Sequence, residues 1–398
     1  MYSRFGETLR RELAAVREQG LYKEERVLQG PQGAEIRVAG RTVINFCANN
    51  YLGLASDPRV VEAARRTLAE WGYGLSSVRF ICGTTELHRQ LEAELSDFLG
   101  TDDTILYAAC FDANGGVFEP LLDRNCAIFT DQLNHASIID GVRLAKAERH
   151  IYNHSDLEHL QAQLATAAAA EFRLIVTDGV FSMDGVLARL PEICDLAERH
   201  DSLVMVDDSH ATGFVGPTGR GTPEHFGVQG RVDIISTTLG KALGGALGGC
   251  ISGRGEIVEW LRQKSRPYLF SNSLPPVVCG ATLEVLRILR SDPGPLARLA
   301  RNQSRLRDGL RGLGLDVDEG EHAIVPVHFR GQPEDARLAQ AMAADLLAEG
   351  IYCIGFGFPV VPRGQARIRL QASAAHTDEQ IDHCVEAFGR VGRRHGLV

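Results

Sequence analysis

The sequence predicts an α/β protein in which a mostly parallel seven-stranded sheet forms a large domain and a smaller α+β domain follows. Three observations carry this. Seven short apolar runs between Ile105 and Ile251 alternate with helical stretches and lack a polar face, as strands buried on both sides do. The polar residues able to do chemistry fall at the carboxyl ends of those runs, where open α/β sheets bind ligands. Beyond Pro275 and Pro276 the character changes to charged helices with a few strands.

In chain order, Phe5, Leu9, Leu13 and Val16 mark an opening amphipathic helix, and Glu7, Glu12 and Glu18 make it too acidic for a transit peptide. Residues 42–46 read as a strand leading into the polar turn 47–54, whose adjacent Asn49 and Asn50 before Tyr51 could simply cap a helix. Residues 71–84 are rich in small residues with one arginine, Arg79, a composition suited to a close-approach loop. Helical spacing resumes at Leu87, Leu91, Leu95 and Phe98. The seven strand candidates are 105–107, 127–129, 150–152, 174–176, 203–206, 234–235 and 250–251, with helices at 136–147 and 191–200 among the connections. The later part offers helices over 285–290 and 296–310, strands over 324–327 and 366–370, and a final helix carrying Ile381, Val385 and Phe388. The expected organisation is an N-terminal helix and strand segment (1–48), a large domain (49–280) and a small C-terminal domain (281–398).

Composition narrows the function. The 398 residues carry a formal charge of −9, which argues against nucleic acid as a partner, and no apolar run is long enough to span a membrane. Nine cysteines without a C-x-x-C pair fit reduced thiols, so a cytoplasmic setting is expected.

Lys241 stands among hydroxyls and glycines just after the run Val232-Asp233-Ile234-Ile235. A lone loop lysine is usually solvated. A Walker loop is excluded, since Ile235 and Ala242 occupy positions that need Gly and Ser or Thr. What remains is an amine able to form a Schiff base. Residues 107–116 turn from a strand into a helix, a site suited to phosphate. Asp207, Asp208 and His210 end another strand. No second cluster offers metal ligands at a recognisable spacing, whereas a buried aspartate can keep a heterocyclic nitrogen protonated. Neighbouring carboxylates point opposite ways from extended backbone, so one of the two should face a site. His135 reads as a helix cap or as a group lying on an aromatic ring. Together the phosphate turn, aspartate, histidine and lysine describe pyridoxal 5'-phosphate.

On residues 45–54, 77–84, 110–116, 133–141, 178–185, 206–210, 238–241 and 266–275, the sequence resembles the α-oxoamine synthases of the fold type I pyridoxal-phosphate transferases over essentially the whole chain. Residues 79–82 and 268–272 are similar to its acetyltransferase branch. The resemblance implies that Lys241 is the Schiff-base lysine and base, that Asp207 partners the ring nitrogen, and that His135 stacks on the ring and assists as an acid. It implies Ser182 and His210 at the phenolic oxygen, with Thr238 and the N–H groups of Cys110 and Phe111 on the phosphate. Ser271 and Asn272 would complete the site of a neighbouring subunit in a homodimer, and Asn49 and Arg369 would take the carboxylate of glycine. Arg367 and Arg369 share one face of a strand by spacing, and only the resemblance chooses between them. Ala109 departs from a frequent serine, a change that backbone contacts survive. The implied reaction joins glycine and acetyl-coenzyme A into 2-amino-3-oxobutanoate and coenzyme A, and its reverse serves threonine breakdown. Branches making 8-amino-7-oxononanoate, 5-aminolevulinate or the sphingoid precursor are the rivals.

Overall fold

The computed structural model describes residues 2–19, 21–358 and 360–398. They form two compact units. One comprises Met1–Ala48, Met183–Gly185 and Arg298–Val398, and the larger one Asn49–Ser182 and Val186–Ala297.

In the smaller unit, helix α1 (Tyr2–Glu18) precedes the antiparallel pair β1 (Glu35–Val38) and β2 (Arg41–Asn45). Ala39 and Gly40 both adopt positive φ between the strands, the two-residue turn whose twist suits a hairpin. Alternate residues Ile36, Val38 and Val43 are buried together.

The larger unit opens with helices α2 (Pro58–Trp71) and α3 (Glu86–Leu99). It then builds one sheet from β3 (Asp103–Tyr107), β4 (Ala127–Asp131), β5 (Glu148–Tyr152), β6 (Arg173–Asp178), β7 (Leu203–Asp207), β8 (Ile234–Thr238) and β9 (Gly249–Gly253). Each contains one of the seven expected runs. The order is β3-β9-β8-β7-β6-β4-β5, with β9 antiparallel to both neighbours and the other pairings parallel. Ile128, Leu174, Val176, Met205 and Ile234 belong to one buried cluster, while Phe129, Ile175, Val204, Val206 and Ile235 belong to another. Successive side chains thus supply opposite faces of a sheet covered on both. Each fully buried Ile, Val or Phe contributes roughly 1.5–3 kcal/mol.

Helix α4 (Cys110–Gly115) follows β3, the short α5 (Phe118–Leu121) comes next, and α6 (Ala136–Leu144) follows β4. The packing of α4 relies on missing side chains. A Cβ at Gly249 would lie 2.4 Å from the backbone N of Cys110, and one at Gly141 would lie 2.5 Å from the carbonyl of Asn114.

The smaller unit resumes with β10 (Ile324–His328), β11 (Ile351–Tyr352), β12 (Gly355–Phe356) and β13 (Arg367–Gln371). β11 adds to β2 in parallel, and β13 sits between β10 and β12. The closing helix Asp378–Arg394 buries Ile381 and Phe388. Val385, expected on the same face, meets helix 294–312 at Gly309, where an added Cβ would lie 2.7 Å from it. No helix among the described residues is long and apolar enough to cross a membrane.

Gly141→Ala is expected to lower stability by about 1–3 kcal/mol, the usual cost of overpacking. Gly115→Ala, where nothing lies within 4 Å of the added Cβ, should be neutral or better. Urea denaturation of both variants checks this.

Candidate active site

Parallel register sets the polar residues side by side where strands end. Asp178 on β6 lies opposite Asp207 on β7, which lies opposite Ser236 on β8. Lys241 follows in a loop that returns to β9, closed by the Leu239 N–H donating to the Gly248 carbonyl at 2.9 Å. Gly248 has φ 106, and a Cβ there would lie 2.9 Å from Leu274, so this loop needs glycine.

A cavity of about 230 Å³ opens among these strand ends. Lys241, Asp207, His135, His210, Thr238, Cys110 and Phe111, all proposed from sequence, line it. Ala109, Ser137, Asp178, Val180 and Ser209 complete the lining. Ser182 lies beyond β6, partly buried and outside this lining. Asn49 is also outside it, its side-chain oxygen accepting from the Tyr51 hydroxyl at 3.5 Å. Ser271 and Asn272 are exposed. Arg369 belongs to the smaller unit, its guanidinium 5.0 Å above the Phe356 ring.

The two neighbouring carboxylates do diverge. Asp207 accepts from the Asn114 amide at 2.5 Å and the Ser209 N–H at 2.9 Å, and lines the cavity. Asp208 accepts from the N–H of Thr222 at 2.9 Å and its hydroxyl at 2.6 Å. Burial pushes the Asp208 carboxyl up to about 7, against the pull of the Thr222 hydrogen bonds.

His135 caps α6, its Nδ1 accepting from the Ser137 N–H at 3.3 Å and lying 2.7 Å from the Ser137 hydroxyl. Although the residue is solvent-accessible, loss of hydration around the imidazole holds its pKa below the ordinary value, with Asp207 opposing and Lys241 reinforcing the shift. Its backbone N–H donates to Asp178, whose own pKa burial raises well above the usual range. His210 Nδ1 lies 2.8 Å from the hydroxyl of Tyr51, which stacks on Phe214.

Helix α4 starts at Ala109 with no capping side chain, so the first N–H groups of its first turn lack the usual partner at the cavity wall. The Thr238 hydroxyl accepts from Gly240 N–H at 3.1 Å. An uncapped turn beside a hydroxyl suits an anion, a buried carboxylate suits a protonated ring nitrogen, and a partly buried lysine suits an aldehyde. This donor set fits pyridoxal phosphate.

Sequence reading missed Asn114, Ser137, Asp178 and Tyr51 as site residues. All four sit in stretches already noted, 45–54, 110–116, 133–141 and 178–185. Asn114, in the second turn of α4, and Ser137, in the first turn of α6, offered no chemical signal of their own.

Arg367 and Arg369 separate on β13. Arg367 is buried, ion-paired with Asp184, and donates from Nε to the Gln365 carbonyl at 3.1 Å.

A doubly covered, mostly parallel sheet with a lysine and an aspartate meeting at its strand ends defines a fold type I transferase. The chain belongs to the aminotransferase class I and II family, whose model matches residues 41–388. It is 54% identical to the 2-amino-3-ketobutyrate coenzyme A ligase of Escherichia coli (strain K12) over 401 residues, covering 100% of each. It is 52% identical to the mitochondrial 2-amino-3-ketobutyrate coenzyme A ligase of Homo sapiens over 389 residues, covering 97% of this chain and 92% of that one. A solved serine palmitoyltransferase of S. paucimobilis, with a bound PLP-myriocin aldimine, superposes with a TM-score of 0.93 at 30% identity, covering both chains fully.

Asp208→Ala is expected to cost about 1–3 kcal/mol by stranding the Thr222 donors. The folded pKa of Asp208 is raised, so its favourable contribution is complete below the unfolded value of 3.8 and is lost as pH rises through about 7. The stability gap between wild type and Asp208→Ala should therefore narrow from about pH 5.5 to about pH 8. Thermal unfolding at both values checks the sign.

Proposed function

We propose that this protein is a glycine C-acetyltransferase, condensing glycine with acetyl-coenzyme A to give 2-amino-3-oxobutanoate and coenzyme A. The observation that carries the reading is the meeting of Lys241 and Asp207 in one cavity. The full-length likeness to two 2-amino-3-ketobutyrate coenzyme A ligases supports the choice of substrates. Bound pyridoxal phosphate supplies an electron sink for the α-carbon of glycine.

The side chains then have definite tasks. With pyridoxal phosphate bound, Lys241 would hold its aldehyde carbon, and the neutral amine of Lys241 is the base that would take the glycine α-proton. Asp207 would accept from the ring N–H and keep that proton in place. His135 covers the ring face and donates a proton at the thioester oxygen. Ser182 and His210 would take the phenolic oxygen, with His210 oriented by Tyr51. Thr238 and the N–H groups of Cys110 and Phe111 hold the phosphate. Asn49 and Arg369 hold the glycine carboxylate, Arg369 being favoured because Arg367 is already committed to Asp184. The α-carbon bonds to the acetyl carbonyl carbon, the C–S bond breaks, and coenzyme A leaves as the protonated thiol. In the degradative direction the same steps cleave a product of threonine oxidation.

The functional species in this reading is a homodimer, with Ser271 and Asn272 reaching the partner's phosphate. Large exposed apolar side chains support it, Phe270 next to Ser271 being 71% and Ile81 69% exposed. Nine cysteines without a disulfide suit a reducing setting such as the cytoplasm.

Glycine-dependent release of coenzyme A should be highest with acetyl-coenzyme A and fall with longer acyl chains. A preference for a long or dicarboxylic acyl group would overturn the reading in favour of another α-oxoamine synthase. Lys241→Ala should abolish turnover and the borohydride-reducible cofactor linkage while leaving a folded protein. Substantial residual turnover would reject the lysine assignment.

Arg369→Lys should weaken glycine binding roughly ten- to a hundredfold, since an ammonium cannot reproduce the two parallel bonds of a guanidinium. Arg367→Lys should mainly lower stability. Spectral titration with glycine, beside thermal unfolding, tells them apart. The reverse pattern would move the carboxylate site to Arg367.

A further inference from the structure

The hydrogen bonds beneath the cavity form one connected chain. Asn114 Nδ2 donates to Asp207 Oδ2 at 2.5 Å and to the Ser137 hydroxyl at 2.9 Å, and that hydroxyl lies 2.7 Å from His135 Nδ1. Asn114 and Ser137 are buried, and Asn114 Oδ1 has no hydrogen-bond partner among the described residues. Its orientation follows from Asp207: turning the amide over would set a carbonyl oxygen against a carboxylate oxygen. With Nδ2 fixed, its second proton occupies a Ser137 lone pair, and the Ser137 hydroxyl is left to donate to Nδ1. The Ser137 N–H aims at the same Nδ1 from 3.3 Å. Two donors therefore meet one ring nitrogen, a tautomer assignment made from the network.

We infer that Asn114 and Ser137 are positioning residues that hold Asp207 and His135 as a single hydrogen-bonded unit, with the imidazole proton kept on Nε2. The inference rests on the proposed function for what that unit serves: Nε2–H is the group that can give a proton to the thioester oxygen. A proton on Nδ1 would confront two donors, so the chain opposes the imidazolium. Asp207 on β7 and Lys241 after β8 act on the His135 charge, Asp178 on β6 accepts its backbone N–H, and Cys110 on α4 and His210 after β7 line the same cavity.

The test is an NMR titration of the His135 imidazole in the protein without cofactor, with His225 as reference. Ser137→Ala should raise the His135 pKa by about half to one unit, the worth of one hydrogen bond. Asn114→Ala should also move it, both through Ser137 and through the charge of Asp207, which acts on His135 directly. An unchanged His135 pKa in Ser137→Ala or in Asn114→Ala would overturn the inference. Ser137→Ala deletes one hydroxyl and tests the idea even where Asn114→Ala does not fold. Cofactor binding is followed separately by visible absorbance. Failure to bind pyridoxal phosphate would overturn the functional reading and leave the titration standing, whereas binding with an unmoved His135 would overturn the positioning unit alone.

Discussion

A carboxylate buried at the end of a strand must be met by donors, and the arrangement around Asp207 is built on that requirement. Its strand lies inside a sheet covered on both faces, so water cannot supply the donors along most of its length. The Asn114 amide from α4 and the N–H of Ser209 supply them. To bring Asn114 there, α4 must lie tightly against β9 on one side and α6 on the other. Gly249 and Gly141 make room for its backbone. The same placement turns the uncapped first turn of α4 toward the cavity wall, so the donor to the carboxylate and the N–H groups for an anion share one short helix.

The next residue shows how little of this is intrinsic to aspartate. Asp208 is buried completely and has two good donors, yet its carboxyl is pushed up to about 7. Extended backbone sends it away from the cavity, where it joins Thr222 and makes Gly221 a close neighbour. Its work is to tie the segment around Thr222 to the strand end. Two acids one residue apart thus serve a site and a scaffold, and the pleat of the strand decides which is which.

Much of the larger unit was legible because strands covered on both faces leave unbroken apolar runs, and each of the seven runs became a strand of one sheet. The smaller unit was harder. β11 and β12 have two residues each, and β1 has only Ile36 and Val38 facing inward, so neither length nor periodicity announces them. Nor could spacing show that β2, early in the chain, pairs with β11. In the site, Lys241, His210, His135 and Asp207 stood out because reactive side chains follow apolar runs. Asn114 and Ser137 did not, since their significance lies in bonds across 93 and 23 residues of sequence. Such partners are visible only once β3, β4 and β7 share a sheet.

His135 shows why a structural and a chemical reading of one residue need not compete. As a cap, its Nδ1 satisfies an N–H at the start of α6 that would otherwise lack a partner. That bond settles which ring nitrogen carries the proton, because a nitrogen accepting from the backbone cannot also be the donor. The capping interaction therefore turns the donor nitrogen, Nε2, away from the helix it stabilises. A histidine placed in the middle of a helix would have no such constraint, and its two tautomers would be set by solvent. Placing the residue at the helix start, two positions before a buried serine, converts a local requirement of helix formation into a fixed proton position at the edge of the cavity.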